Sequence, residues 1–172
     1  MHQEFGRTDI LVDNAGVMLL GPFIAEQRAE HRQMVEVNLL GAMTTTEVFL
    51  DQLRDGGGGL VNISSVAGRT ARTARAGSAV YAATKTGLGG WSEVLRQELQ
   101  PGVRVMVIEP GAVATELPDH ITHAQTRPEI DQFYQQLAIP AQEIAAIISF
   151  CVSRPRTVSI NEILVRPTAQ AL

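Results

Sequence analysis

Lysine is almost absent from this 172-residue chain: Lys85 stands alone, and the other thirteen Lys+Arg residues are arginine. Cysteine is equally scarce. The single Cys151 excludes an internal disulfide and fits a reducing compartment, so a cytoplasmic location is expected. There is no long hydrophobic run. The longest, Ile144 to Val152, contains Ser149 and is too short to span a bilayer, so no membrane partner is expected. The N-terminus is polar and lacks the pattern of a signal peptide. In a chain without export signals, the sequon Asn62-Ile63-Ser64, set in an apolar run, is read as carrying no glycan. Charge of one sign is missing too. The net charge is -4 and the arginines are scattered apart from Arg69, Arg72 and Arg75, which gives no reason to expect nucleic acid. The chain does have 45% hydrophobic and 19% charged residues, enough to bury a core, and its length fits one domain over residues 1–172.

The lone lysine lies four residues after a tyrosine, in Tyr81-Ala82-Ala83-Thr84-Lys85. A chain that otherwise uses arginine and keeps one lysine points to a chemical need for an amine. Positions i and i+4 share a helix face, so phenol and ammonium can approach. A positive charge nearby favours the phenolate and is expected to lower the tyrosine pKa. Such a tyrosine serves as a general acid or base nearer neutral pH.

Apolar strands are expected at Ile10–Val12, Leu60–Ser64, Val103–Ile108 and Glu162–Val165. Helices are expected over Glu26–Leu53, with a break near Asn38-Leu39-Leu40-Gly41, over Ser78–Leu99, and near Pro128–Leu137 and Ala141–Ser153. Gly56–Gly59 reads as a loop, and a polar, irregular stretch leads from Pro110-Gly111 to about Arg127. Strands alternating with helices predict an α/β fold with a parallel sheet covered on its faces. Ligands bind such sheets beyond the carboxyl ends of the strands. Asn14, Ser64, Ser65 and Pro110-Gly111 stand at those ends, and Tyr81 and Lys85 on the helix after the second strand.

With these residues placed, the chain resembles the short-chain dehydrogenase/reductase family. Asp13-Asn14-Ala15-Gly16 resembles the family's Asn-Asn-Ala-Gly motif, with aspartate first. Asn38 stands where the family carries a helix asparagine, and Ser65 where it carries its catalytic serine. Tyr81 and Lys85 match Tyr-x-x-x-Lys, and Pro110-Gly111-Ala112-Val113-Ala114-Thr115 matches Pro-Gly-x-Val-x-Thr. Further segments, Met18–Pro22, Glu116–His123 and Ile163–Thr168, resemble a subgroup that includes the NADP-dependent clavulanic acid dehydrogenase and similar bacterial reductases. The resemblance implies a Rossmann-like, doubly wound sheet lacking its first βαβαβ half. It implies an NADP-dependent oxidoreductase, with NAD the alternative, acting on a small carbonyl or alcohol, and a homo-oligomer. It implies catalytic roles for Asn38, Ser65, Tyr81 and Lys85, with Asn38 holding a proton-relay water. It places Asn14, Ala15, Gly16, Tyr81, Lys85, Pro110, Gly111, Val113 and Thr115 at the cofactor, and no metal. The family's glycine-rich pyrophosphate turn has no counterpart here, because Gly56–Gly59 precedes a strand instead of opening a helix. Weak dinucleotide binding is therefore expected, and a non-catalytic remnant or interaction fragment is the alternative function.

Other features have plainer readings. The tandem Thr70-Ala71-Arg72 and Thr73-Ala74-Arg75 lengthens the serine–tyrosine loop by three residues against the family pattern. Its arginines, with Arg69, are expected to be solvated. His120 and His123 are read as part of a mobile substrate loop. Gly87, Gly89 and Gly90 each cost a helix about 1 kcal/mol against alanine, so close packing on another helix or subunit is expected. Trp91 is assigned to core or interface. Ile10-Leu11-Val12 is expected to form an exposed sheet edge that recruits partners.

Overall fold

The computed structural model of the chain describes residues 6–69 and 77–170. Its centre is a parallel sheet of four strands: β1 (Ile10–Asp13), β2 (Gly59–Ile63), β3 (Arg104–Pro110) and β6 (Glu162–Val165), in the spatial order β1-β2-β3-β6. Leu60 pairs with Leu11 on one side and Val105 on the other, which sets the register of the inner strands. β2 and β3 are buried on both faces, as their near-continuous apolar sequences require. Alternate side chains enter two different cores. Leu60, Val103 and Val105 pack with Leu53 and Leu99 on one face, and Val61, Met106 and Ile108 with Ile144 and Cys151 on the other. Helices therefore cover both faces, and the architecture is the expected Rossmann-like α/β sheet.

The helices are α1 (Arg28–Val35), α2 (Ala42–Gly56), the short α3 (Val66–Arg69), α4 (Ala79–Leu99), α5 (Thr126–Leu137) and α6 (Ala141–Val152). α2 ends where Gly57 takes a left-handed φ of 60°, and Gly58 N–H closes the turn on Leu53 C=O at 2.8 Å. The glycine run is thus a helix cap at the amino end of β2, opposite the ligand-binding edge. α4 stops at Gln100, held extended before Pro101.

Two expectations need correction, and a third reading agrees with the structure. The expected break at residues 38–41 is instead a π-helical turn, Glu36–Gly41, that joins α1 to α2 without interruption. Such wide turns absorb an extra residue, here beside the buried Asn38. The irregular stretch contains order of its own. A 3₁₀ turn runs over Leu117–His120, and β4 (Val113–Ala114) pairs in parallel with β5 (Ile139–Pro140), drawing α5 back toward the strand ends. The sequon asparagine, Asn62, is fully buried and donates to Ser92 Oγ at 2.8 Å.

β1 is an edge strand. Ile10 and Val12 are 36% and 39% exposed on the face that α6 covers elsewhere, while Leu11 packs into the opposite core. Of the helix glycines, Gly87 would bring a Cβ within 3.4 Å of Leu39, whereas a Cβ on Gly89 or Gly90 meets nothing within 4 Å among the described residues. Trp91 is half-buried against the Leu53–Leu60 core. No described helix is long and apolar enough to cross a membrane. The Thr-Ala-Arg repeat lies outside the described residues.

Candidate active site

The chain leaves β1, β2 and β3 at the same edge of the sheet, and α4 passes alongside. Between them lies a cavity of about 500 Å³, lined among others by Asn14, Ala15, Gly16, Ser64, Tyr81, Lys85, Pro110, Gly111, Val113 and Thr115. Every cofactor-site residue expected from the sequence is in this wall. Asn38 and Ser65, both buried, stand behind it.

Lys85 is 5% exposed, and its ammonium donates to Ile63 C=O at 2.7 Å. Burial without a carboxylate partner pulls its pKa down to about 8. The Nζ atom stands 5.9 Å from the centre of the Tyr81 ring. The expected lowering of the tyrosine pKa is not what results. Burial pushes Tyr81 up to about 12, opposed by a side-chain hydrogen bond from Ser65. The ammonium is spent on a strand carbonyl, and desolvation of the phenolate dominates. At neutral pH Tyr81 is thus a protonated phenol, ready to donate and costly to ionise.

Both flanks of α4 are pinned near this pair. Ser64 Oγ donates to Lys85 C=O at 3.0 Å, and Thr86 Oγ1 to Gly68 C=O at 3.1 Å. α3 crosses so closely that a Cβ on Gly68 would lie 2.7 Å from the Lys85 carbonyl carbon. Ser65 Oγ accepts from Ala67 N–H at 3.1 Å, which leaves its hydroxyl proton for Tyr81. From the other side, Asn38 Nδ2 donates to Val17 C=O at 2.9 Å and to Thr84 Oγ1 at 3.2 Å, while its Oδ1 accepts from Val17 N–H at 2.8 Å. The side-chain amide of Asn38 is committed to backbone and helix and does not face the cavity. Gly16 runs close by, a Cβ there lying 3.4 Å from Asn38 Oδ1 and 3.6 Å from Lys85 Nζ. Asp13, where the family pattern has asparagine, accepts from Thr46 Oγ1 at 3.0 Å, and burial raises its pKa.

The cavity also has walls that the sequence reading missed: Leu117, Tyr134, Ile144 and Ile148. The pairing of β4 with β5 draws α5 here, and α6 packs on the sheet through Ile144. The one hint was rarity, since Tyr134 is one of two tyrosines in the chain. The two histidines part company. His120 lines the cavity, while His123 Nδ1 bonds the Thr126 hydroxyl at 2.8 Å at the start of α5. Arg69 is not a free cation either, because it pairs with Glu162 and lies 3.9 Å from the buried Glu109.

Comparison with known proteins agrees with this geometry. Residues 1–126 match the profile of a family described as short chain dehydrogenase. An uncharacterised oxidoreductase of Staphylococcus saprophyticus is 35% identical over 175 residues, covering 99% of this chain and 70% of its own length. The alcohol dehydrogenase of the archaeon Thermococcus sibiricus, solved with 5-hydroxy-NADP, superposes with a TM-score of 0.83 at 25% identity, covering 99% of this chain and 68% of that one. The closed form of a serine dehydrogenase with NADP+ gives a TM-score of 0.87 at 29% identity, covering 98% of this chain and 68% of that one.

Proposed function

The chain belongs to the short-chain dehydrogenase family, and we propose that it catalyses hydride transfer between a nicotinamide dinucleotide and a small carbonyl or alcohol in the Tyr81–Lys85 crevice. The observation that carries this reading is one cavity lined by a protonated, buried tyrosine and the only lysine of the chain, with Ser65 bonded to that tyrosine from behind the wall.

The residues present fit such a cofactor. Lys85 and Tyr81 turn donors into the cavity, and Gly16 lets the backbone run close beside them. When bound, the dinucleotide supplies the hydride in reduction and takes it in oxidation. Asn14, Ala15 and Gly16 would hold its adenosine side, Lys85 would hold the ribose hydroxyls, and Val113 and Thr115, in the Pro110-Gly111 segment beside the nicotinamide, would orient the carboxamide. In reduction Tyr81 would give its proton to the carbonyl oxygen, and Ser65 would donate a hydrogen bond to the developing oxyanion. The phenolate left behind is costly in its buried site. Lys85, with a pKa of about 8, is well placed to return a proton to it near neutral pH. Asn38 contributes by position, holding Val17 and α4 in register. NADP is favoured over NAD by the subgroup resemblance and by the NADP-containing structural relatives. A cytoplasmic location and a homo-oligomeric state belong to the same proposal.

The test is isotopic. Ketone reduction with NADPH deuterated at the transferred position should place deuterium on the carbinol carbon, at a rate that Ser65→Ala lowers by roughly tenfold or more. An unlabelled carbinol would refute hydride transfer. One observation favours a second reading, a fragment without catalysis: the chain spans 70% and 68% of the lengths of its relatives. On that reading, a titration following NADPH fluorescence shows no saturation at micromolar chain.

A further inference from the structure

Tyr134 has no role in the chemistry above, yet it lines the same cavity as Tyr81. Among the described residues its hydroxyl bonds Met18 Sδ at 4.0 Å, and a thioether is a weak acceptor at that range. The ring itself is fixed, packed edge-on against Phe133 at 5.9 Å and against the Met18–Tyr81 cluster. Burial raises the pKa of the phenol, and Tyr81 raises it further, so the two hydroxyls sense one another. A rigid, mostly desolvated donor in a cavity wall with so poor a partner is costly unless a ligand accepts from it.

The charges of this wall also discriminate. Among its described residues the acidic and basic side chains are Glu116 and Lys85, with His120 beside them. The lysine is already bonded to Ile63 C=O, and Arg69 is paired with Glu162. Among the described residues no guanidinium lines the cavity, so a substrate carboxylate would meet Glu116 with only the partly engaged Lys85 ammonium to offset it, whereas a neutral oxygen needs only the Tyr134 hydroxyl.

We propose that Tyr134 is a substrate-positioning residue, and that the crevice selects neutral ketones or alcohols bearing a second oxygen one or two carbons from the reacting one, in preference to oxo or hydroxy acids. The proposal rests on the redox reading above and adds a substrate class to it. Three four-carbon ketones test it: 4-hydroxy-2-butanone, 2-butanone and acetoacetate, reduced with NADPH by the full chain and by Tyr134→Phe, which keeps the ring. The wild type should favour 4-hydroxy-2-butanone over 2-butanone by about tenfold in kcat/KM, a hydrogen bond's worth, and over acetoacetate by more. In Tyr134→Phe the first ratio should collapse toward one. An unchanged ratio in the variant, or a preference for acetoacetate, overturns the proposal. A parallel saturation-transfer NMR experiment with millimolar 1,3-butanediol, 2-butanol and 3-hydroxybutyrate needs no turnover. If none of the ketones is reduced, the redox reading fails and the NMR experiment decides. A diol signal that Tyr134→Phe abolishes supports the substrate class. Equal signals, no signal, or a stronger signal from the acid refute it.

Discussion

Raising the pH from 7 to 9.5 should stabilise this protein, and the reason is Lys85. Its folded pKa of about 8 lies below the ordinary 10.5 because burial penalises the ammonium. Between those values the unfolded chain holds a proton that the folded one has released, so unfolding becomes harder as pH rises. The gap between about 8 and 10.5, at about 1.4 kcal/mol per pH unit, is worth ~3 kcal/mol in full. Roughly 2 kcal/mol of it is in hand by pH 9.5. The buried Tyr81 acts in the opposite sense but later, because its ordinary pKa is 10.0 and its folded one about 12, so its contribution is lost only above pH 10. The buried Cys151 thiol, its pKa raised, also opposes the gain near and above pH 9. Lys85→Met isolates the lysine. Urea unfolding followed by the fluorescence of Trp91, the only tryptophan, gives both curves. The wild-type free energy minus that of Lys85→Met should climb by about 2 kcal/mol over this window. A flat or falling difference would show that the ammonium is solvated in the fold, and the site electrostatics argued above would be wrong.

Two further outcomes follow from packing. Gly68→Ala puts a Cβ 2.7 Å from the Lys85 carbonyl carbon and 2.9 Å from Ser64 Oγ. It should destabilise the fold by about 1–3 kcal/mol and slow turnover by displacing Ser65, as urea titration and kinetics would read; an unchanged midpoint counts against this contact. The bare edge of β1, with Val48 (68% exposed) on α2 and Val94 (55% exposed) on α4, should make the chain self-associate at micromolar concentration in sedimentation. Val48→Asp with Val94→Asp should reduce that association, and a wild-type chain that sediments as a sharp monomer contradicts it.

Much of this architecture is legible in the residues because the signals are local. β2 and β3 announce themselves as continuous apolar runs, and the crevice residues follow from standing at strand ends. What escapes is tertiary or subtle. A π turn at Asn38 differs from an α-helix by one residue in spacing, too little for periodicity to separate from a break. Tyr134 reaches the cavity through tertiary packing on the Met18–Tyr81 cluster and the two-residue pairing of β4 with β5, which leave almost no pattern. The direction of the Tyr81 shift depends on where the ammonium points. Spacing places Lys85 beside the phenol but does not reveal that Ile63 C=O claims its proton.

The central claim is that Tyr81 is the proton donor in carbonyl reduction. Its most direct test is the steady-state turnover of NADPH with a reducible ketone by the full chain and by Tyr81→Phe, with melting temperatures recorded alongside. The account predicts a loss of roughly a hundredfold or more with the fold intact. Turnover within threefold of wild type in a folded Tyr81→Phe chain would contradict it.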